Sequence, residues 1–137
     1  MTNLIILGHG GYGTAVKNTL AVLLGETDGV LYIDFNKEDD LQALIEKIDG
    51  AVDQCTGDIL FACDIAGGSP FRQCAMRCID RGDRRAAAGL NIAAYAEMVF
   101  NLKLPVEELL ELALQSARRS IVRFPEKADD PPAGHEG

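Results

Sequence analysis

Two glycine-rich loops hold the residue types most capable of chemistry. The first is Gly8-His9-Gly10-Gly11-Tyr12-Gly13 and the second is Asp64-Ile65-Ala66-Gly67-Gly68-Ser69-Pro70-Phe71. His9 offers an imidazole, whose neutral form is a nucleophile near pH 7. Asp64 offers a carboxylate able to accept a hydrogen bond from one ring nitrogen. Such a bond selects a tautomer, leaves the other nitrogen free to attack, and stabilises positive charge developing on the ring. Ser69 can either cap a helix or donate its hydroxyl to a phosphate oxygen. The glycines let backbone N–H groups approach an anion where a helix begins. Together these residues make a coherent phosphoryl-transfer set. Each also has a plainer use: a solvated imidazole, a turn-capping Asp, or glycines serving turn geometry alone.

The elements that must position these loops follow from hydrophobic periodicity. Residues 3–7 form an apolar run bounded by glycines and predict a buried strand; residues 30–35 and 58–63 predict two more. Helical spacing over 13–24 places Val16, Leu20, Leu23 and Leu24 on one face, and 38–54 does the same with Leu41, Leu44, Ile45, Ile48 and Val52. A third helix is expected from Pro70 to Asp80, with Pro70 suited to the first turn. An alanine-rich strand over 85–90 follows, then helices over 91–102 and 106–119, the latter with Glu107 and Glu108 in its first turn. Residues 120–124 alternate and predict a last strand. This order predicts an α/β three-layer sandwich with a mainly parallel central sheet and helices on both faces. In such sheets ligands bind beyond the carboxyl ends of the strands, which is where both glycine loops fall.

The first loop also matches GxGxxG, and Asp34 at the end of the second strand is placed like the ribose-binding acid of a dinucleotide fold. A dinucleotide-binding module is therefore a second hypothesis. A side chain at His9 would crowd the close approach of backbone to pyrophosphate, which counts against it. So does the length of 137 residues, which suits one domain. A formal net charge of −8 argues against nucleic acid and anionic membrane as partners. The first apolar run has no basic residue before it and no stretch approaches a membrane span, so a cytoplasmic protein is expected. Cys55, Cys63, Cys74 and Cys78 are expected as buried reduced thiols, with no metal site. Residues 125–137 lack any large apolar side chain and are expected to form a disordered tail, which holds the second histidine, His135. Five arginines at 72, 77, 81, 84 and 85 are expected to include some that edge a docking face.

At these residues the chain resembles the IIA component of the mannose-type sugar phosphotransferase system, in the branch handling mannose, fructose or N-acetylgalactosamine. The likeness runs over about residues 3–124, a single IIA domain of 1–124. It is carried by Leu4-Ile5-Ile6-Leu7-Gly8-His9-Gly10, Leu24-Gly25-Glu26, Ile33-Asp34-Phe35, Asp64 through Phe71, Gly89-Leu90-Asn91-Ile92 and Glu97-Met98. Ala66 departs from the bulkier residue often found before the two glycines. The resemblance implies a cytoplasmic phosphocarrier without cofactor or metal. His9 would accept phosphate on Nε2 from the histidine-containing phosphocarrier protein and pass it to a IIB component, while Asp64 holds Nδ1. Ser69 and the amides of Gly10, Gly67 and Gly68 would stabilise the phosphate. Membrane contact would be indirect, through the IIC and IID permease. It further implies a homodimer in which the C-terminal strand, about 120–124, is exchanged between subunits. A regulatory phosphocarrier with no transported sugar of its own is the nearest alternative. A related subunit serving a dihydroxyacetone kinase is disfavoured by the Gly-Gly-Ser-Pro loop.

Overall fold

The structure is a computed structural model that describes residues 1–128. Its strands are β1 (Thr2–His9), β2 (Val30–Phe35), β3 (Asp58–Cys63) and β4 (Arg84–Ala88). Its helices are α1 (Tyr12–Leu24), α2 (Leu41–Asp53), α3 (Ser69–Met76), α4 (Ile92–Val99) and α5 (Val106–Ser120). All four strands are parallel, in the order β2-β1-β3-β4. β1 lies inside the sheet, and its run Leu4-Ile5-Ile6-Leu7 is buried on both faces. That explains why it is continuously apolar rather than alternating.

The two faces carry separate cores. Leu4, Ile6, Leu60 and Ala62 point to one side and pack with Val16 and Leu20 of α1, Tyr95 and Met98 of α4, and Leu109 and Ala113 of α5. Ile5, Leu7, Phe61 and Cys63 point to the other, against Leu44 and Ile48 of α2 and Cys74 of α3. The period of two in the strands and 3.6 in the helices thus produces three layers. The chain leaves β1 toward β2 on one side and reaches β3 on the other, so the connections diverge at the carboxyl ends of β1 and β3. This switch point is where a crevice opens in sheets of this kind.

Local signals set several boundaries. Asp40 caps α2 by accepting from the Ala43 amide at 2.8 Å, and Asn91 caps α4 by accepting from the Ala94 amide at 3.0 Å. α5 has Glu107 and Glu108 in its first turn and Arg118 and Arg119 in its last, each sign placed favourably for the helix dipole. α3 is shorter than the expected 70–80: it ends at Met76, and Asp80 in the turn beyond has φ of 58°. α4 likewise spans 92–99 rather than 91–102.

The expected strand over 120–124 is not present. Ser120 closes α5, and residues 121–124 carry no helix or strand. Ile121, Val122 and Phe124 are 76%, 78% and 96% exposed. An alternating segment becomes a strand only where another strand accepts its hydrogen bonds, and here none lies alongside it. Residues 125–128 are exposed without helix or strand, while the rest of the expected tail, including His135, lies outside the described residues. The four cysteines are free; Cys63 and Cys74 are fully buried, and Cys55 and Cys78 are half-buried.

Candidate functional site

His9 is the last residue of β1, and Asp64 directly follows β3. Parallel pairing of β1 with β3 sets Leu7 opposite Cys63, and the Asp64 amide donates to the Leu7 carbonyl at 3.1 Å. The two side chains therefore leave neighbouring strand ends at the switch point. Asp64 Oδ2 accepts from the His9 amide at 2.9 Å and lies 2.8 Å from His9 Nδ1. Asp64 Oδ1 accepts from the Ile65 amide at 2.8 Å. Burial opposes the charge on Asp64, but the hydrogen bonds donated by the His9 amide, the His9 ring and the Ile65 amide outweigh it. The carboxyl is held below its ordinary value. An ionised Asp64 makes Nδ1 the protonated nitrogen of a neutral His9, leaving the lone pair on Nε2. The His9 side chain is 44% exposed and Asp64 15%, so the imidazole is open to solvent while its partner is sheltered.

Nε2 faces the start of α3. A Cβ added at Gly68 would lie 3.0 Å from Nε2 and 3.1 Å from Cε1, and Gly68 has φ of 104°. Both the space and the backbone therefore require glycine there. Gly68 is the N-cap of α3, which has no side-chain cap, and Pro70 occupies the first turn. Ser69 is consequently the first helical residue rather than a cap, which removes one of its two expected roles. Among the described residues the amides of Gly67, Gly68 and Ser69 donate to no protein acceptor. An uncapped helix start of this kind suits an anion. The Phe35 ring lies tilted beside the imidazole, its centroid 6.0 Å from that of His9.

Gly10 differs from its expected role. It has φ of 59°, and its amide donates to the Phe35 carbonyl at 2.7 Å, joining the loop to the end of β2. That donor is already committed, so the uncommitted amides beside His9 are those of the second loop. Asp34 is also committed. Its carboxylate accepts from the Thr14 amide at 2.9 Å and from the Thr14 hydroxyl, capping α1 from a neighbouring strand. Gly8 is a strand residue whose missing side chain leaves space filled by Asp64 and Tyr12. Of the GxGxxG glycines, Gly8 and Gly13 serve close packing and Gly10 a left-handed turn, and the acid a dinucleotide would need is occupied.

Of the five arginines, only Arg72 lies beside the site, in an open groove along α3 with Ala66, Ser69, Phe71, Met76 and Ile79. Arg77 pairs with Asp49, Arg81 with Asp83 and Arg85 with Glu107, and Arg84 reaches the Arg77 carbonyl. Arg77, Arg81, Arg84 and Arg85 cluster from the end of α3 to the start of β4, the end of the sheet remote from His9. Their proximity in sequence to the loop is undone by the length of α3.

Residues 3–113 match the family model for the fructose IIA component of the phosphotransferase system (PTS). The chain belongs to the mannose-family PTS IIA components. It is 32% identical over 126 residues to the mannose-specific EIIAB component of Escherichia coli strain K12, covering 88% of this chain and 39% of that protein. It is 30% identical over 101 residues to the fructose-specific EIIA component of Bacillus subtilis strain 168, covering 72% of this chain and 69% of that one. This IIA chain thus spans well under half the length of the first of these relatives. Its fold matches the EIIA component of Streptococcus agalactiae with a TM-score of 0.83 and 23% identity, over 90% of this chain and 98% of that one. It also matches the mannose/sorbose-specific IIA subunit of Enterococcus faecalis with a TM-score of 0.81 and 22% identity, over 93% and 98% of the two chains. Among the described residues no helix is long and apolar enough to cross a membrane.

Sequence reasoning assigned no separate role to Gly8, Tyr12, Thr14 or Tyr95, although Gly8 leaves room for Asp64, Thr14 holds Asp34, and the hydroxyls of Tyr12 and Tyr95 meet. Gly8 and Tyr12 stand inside the glycine loop, yet their use depends on what lies across the sheet. Tyr95 has no local signal at all, since it lies within α4 among core residues.

Proposed function

We propose that this IIA chain is a cytoplasmic phosphocarrier in which His9 Nε2 accepts a phosphoryl group from the phosphohistidine of the histidine-containing carrier protein and donates it to a IIB component. The observation that carries the proposal is the 2.8 Å contact between His9 Nδ1 and Asp64 Oδ2, with Nε2 directed at the uncapped start of α3. Neutral His9, protonated on Nδ1, attacks the phosphorus with its Nε2 lone pair as the P–N bond of the donor breaks. The donor phosphohistidine, protonated on its other ring nitrogen, leaves as a neutral imidazole. No proton moves, so His9 becomes a phosphorylated imidazolium whose charge is balanced by Asp64.

The amides of Gly67, Gly68 and Ser69, the Ser69 hydroxyl and the α3 dipole are suited to the phosphoryl oxygens. In-line transfer of this type depends on positioning and charge stabilisation. The reverse attack, by a nucleophile of the IIB component, passes the group on. An exposed imidazole fits a reaction whose substrates are side chains of other proteins.

The same reading includes a homodimer. β4 is an outer strand of the sheet, and Ile121, Val122 and Phe124 are exposed, which supports exchange of the segment 121–124 between two copies. The test of the phosphocarrier role is reconstitution with phosphoenolpyruvate, the first enzyme of the system and the histidine carrier. Acid-labile phosphate is expected on the wild-type chain and none on His9→Ala. Equal labelling of both would sink the proposal.

A further inference from the structure

Beneath Asp64 lies a pair of tyrosines with no counterpart in the mechanism. The hydroxyls of Tyr12, the first residue of α1, and Tyr95, in α4, are 2.5 Å apart. Tyr95 is fully buried and Tyr12 half-buried. A Cβ added at Gly8 would come within 2.7 Å of Asp64 Cγ and 2.8 Å of Tyr12 Cδ2. The carboxylate stem and the Tyr12 ring therefore converge on one point, the bare Cα of Gly8. His9 lies on the opposite face of β1, so Asp64 must reach across the strand end to hold it.

We propose that Tyr12 and Tyr95 act as a positioning strut, bracing Asp64 against Gly8 so that its Oδ2 holds the Nδ1 proton of His9. The inference rests on the phosphocarrier reading for its consequence, although its structural content does not. The amide hydrogen bonds to Asp64 tether its two oxygens, and the Tyr12 ring shares with its stem the space left by the bare Cα of Gly8. The ring is in turn fixed at its far end. A buried phenol requires a hydrogen-bond partner, and Tyr95 finds its partner in Tyr12. Burial raises both phenols above their ordinary value, so both remain neutral beside the carboxylate. Neutrality lets the pair press against an anion without repelling it. The strut joins α1 and α4 to the ends of β1 and β3, linking the site to a helix that supplies no residue to the reaction itself.

The test uses the full chain and reads the His9 ring directly by multiple-bond 15N–1H NMR, which reports the Nδ1–H and Nε2–H tautomers separately. Tyr12→Ala removes the brace, and Tyr95→Phe removes only the hydroxyl that anchors it while keeping the core volume. Wild type is expected to show the Nδ1–H form predominating. Tyr12→Ala should bring the two tautomers toward equality, and Tyr95→Phe should shift them the same way to a smaller extent. Tyr12→Phe, which retains the ring, should restore most of the wild-type pattern relative to Tyr12→Ala. In phosphoryl transfer from the carrier protein, Tyr12→Ala should lower kcat about tenfold with little change in KM, as expected for a misplaced reactive group. A wild-type tautomer pattern in folded Tyr12→Ala overturns the strut. If Tyr12→Ala does not fold, a wild-type pattern in Tyr95→Phe overturns it equally. Loss of the pattern without any phosphorylation of the wild-type chain would uphold the strut and refute the phosphocarrier reading instead.

Discussion

Asp64 shows how much of the site depends on one side chain. Its two oxygens accept three hydrogen bonds, two of them from His9. Asp64→Asn keeps the shape but replaces an acceptor by a donor on one side, which no longer enforces the Nδ1–H tautomer. Phosphoryl uptake by this variant is expected to fall about 100-fold, the scale associated with a displaced reactive group, with the far-ultraviolet circular dichroism unchanged. Single-turnover transfer from the labelled carrier measures it. The depressed native value of Asp64 also has a stability consequence. Because folding lowers its affinity for protons, its contribution is fully present above the unfolded value of about 4 and is lost as pH falls through the native value. Urea midpoints of wild type and Asp64→Asn should differ by a constant amount from pH 7 to about pH 4, and the difference should shrink below that.

At the scale of elements, the contacts between α1 and the ends of β1 and β2 decide where the His9 loop lies. Gly13, in the first turn of α1, sits against the backbone of β2: an added Cβ would lie 2.6 Å from the Ile33 carbonyl oxygen. Backbone cannot yield as a side-chain tip does. Gly13→Ala is therefore expected to cost about 1–3 kcal/mol, the usual scale of overpacking, measurable by urea denaturation. It should also reduce phosphorylation, because α1 carries Tyr12 and its displacement moves the wall behind Asp64. The Thr14–Asp34 contact adds a second tie between the same elements. The strands and helices themselves were largely legible in advance, since β2 and β3 match their expected limits and α1, α2 and α5 lie within a few residues. Periodicity reports burial directly. The helix ends after α3 and α4 were less legible, because turn hydrogen bonds and neighbouring elements stop those helices without a strong glycine or proline signal.

For the molecule as a whole, the unresolved balance lies at the β4 edge and the segment that follows α5. The apolar residues Ile121, Val122 and Phe124 face solvent in the single chain, and an exposed alternating segment in a chain with a free sheet edge invites pairing with another copy. The chain is expected to be a dimer by light scattering, and the double variant Val122→Asp and Phe124→Asp is expected to be a folded monomer. A monomeric wild type would refute strand exchange. This is also where the alternation in the sequence and the structure of one copy part company: a strand is defined by its partner, and a single copy provides none.

What the sequence determined by itself was four of its five expected strands, the five helices, a mainly parallel sheet and the two loops that bear His9, Asp64 and Ser69. Those features depend on local spacing and on the rules that make short connections between parallel strands. The tertiary structure decided which donors remain available. It committed the Gly10 amide to Phe35 and the Asp34 carboxylate to Thr14, moved four arginines to the far end of the sheet, and placed Tyr12 behind Asp64. The physical reason is that a hydrogen-bonding group can be spent only once, and what it is spent on is settled by residues distant in sequence.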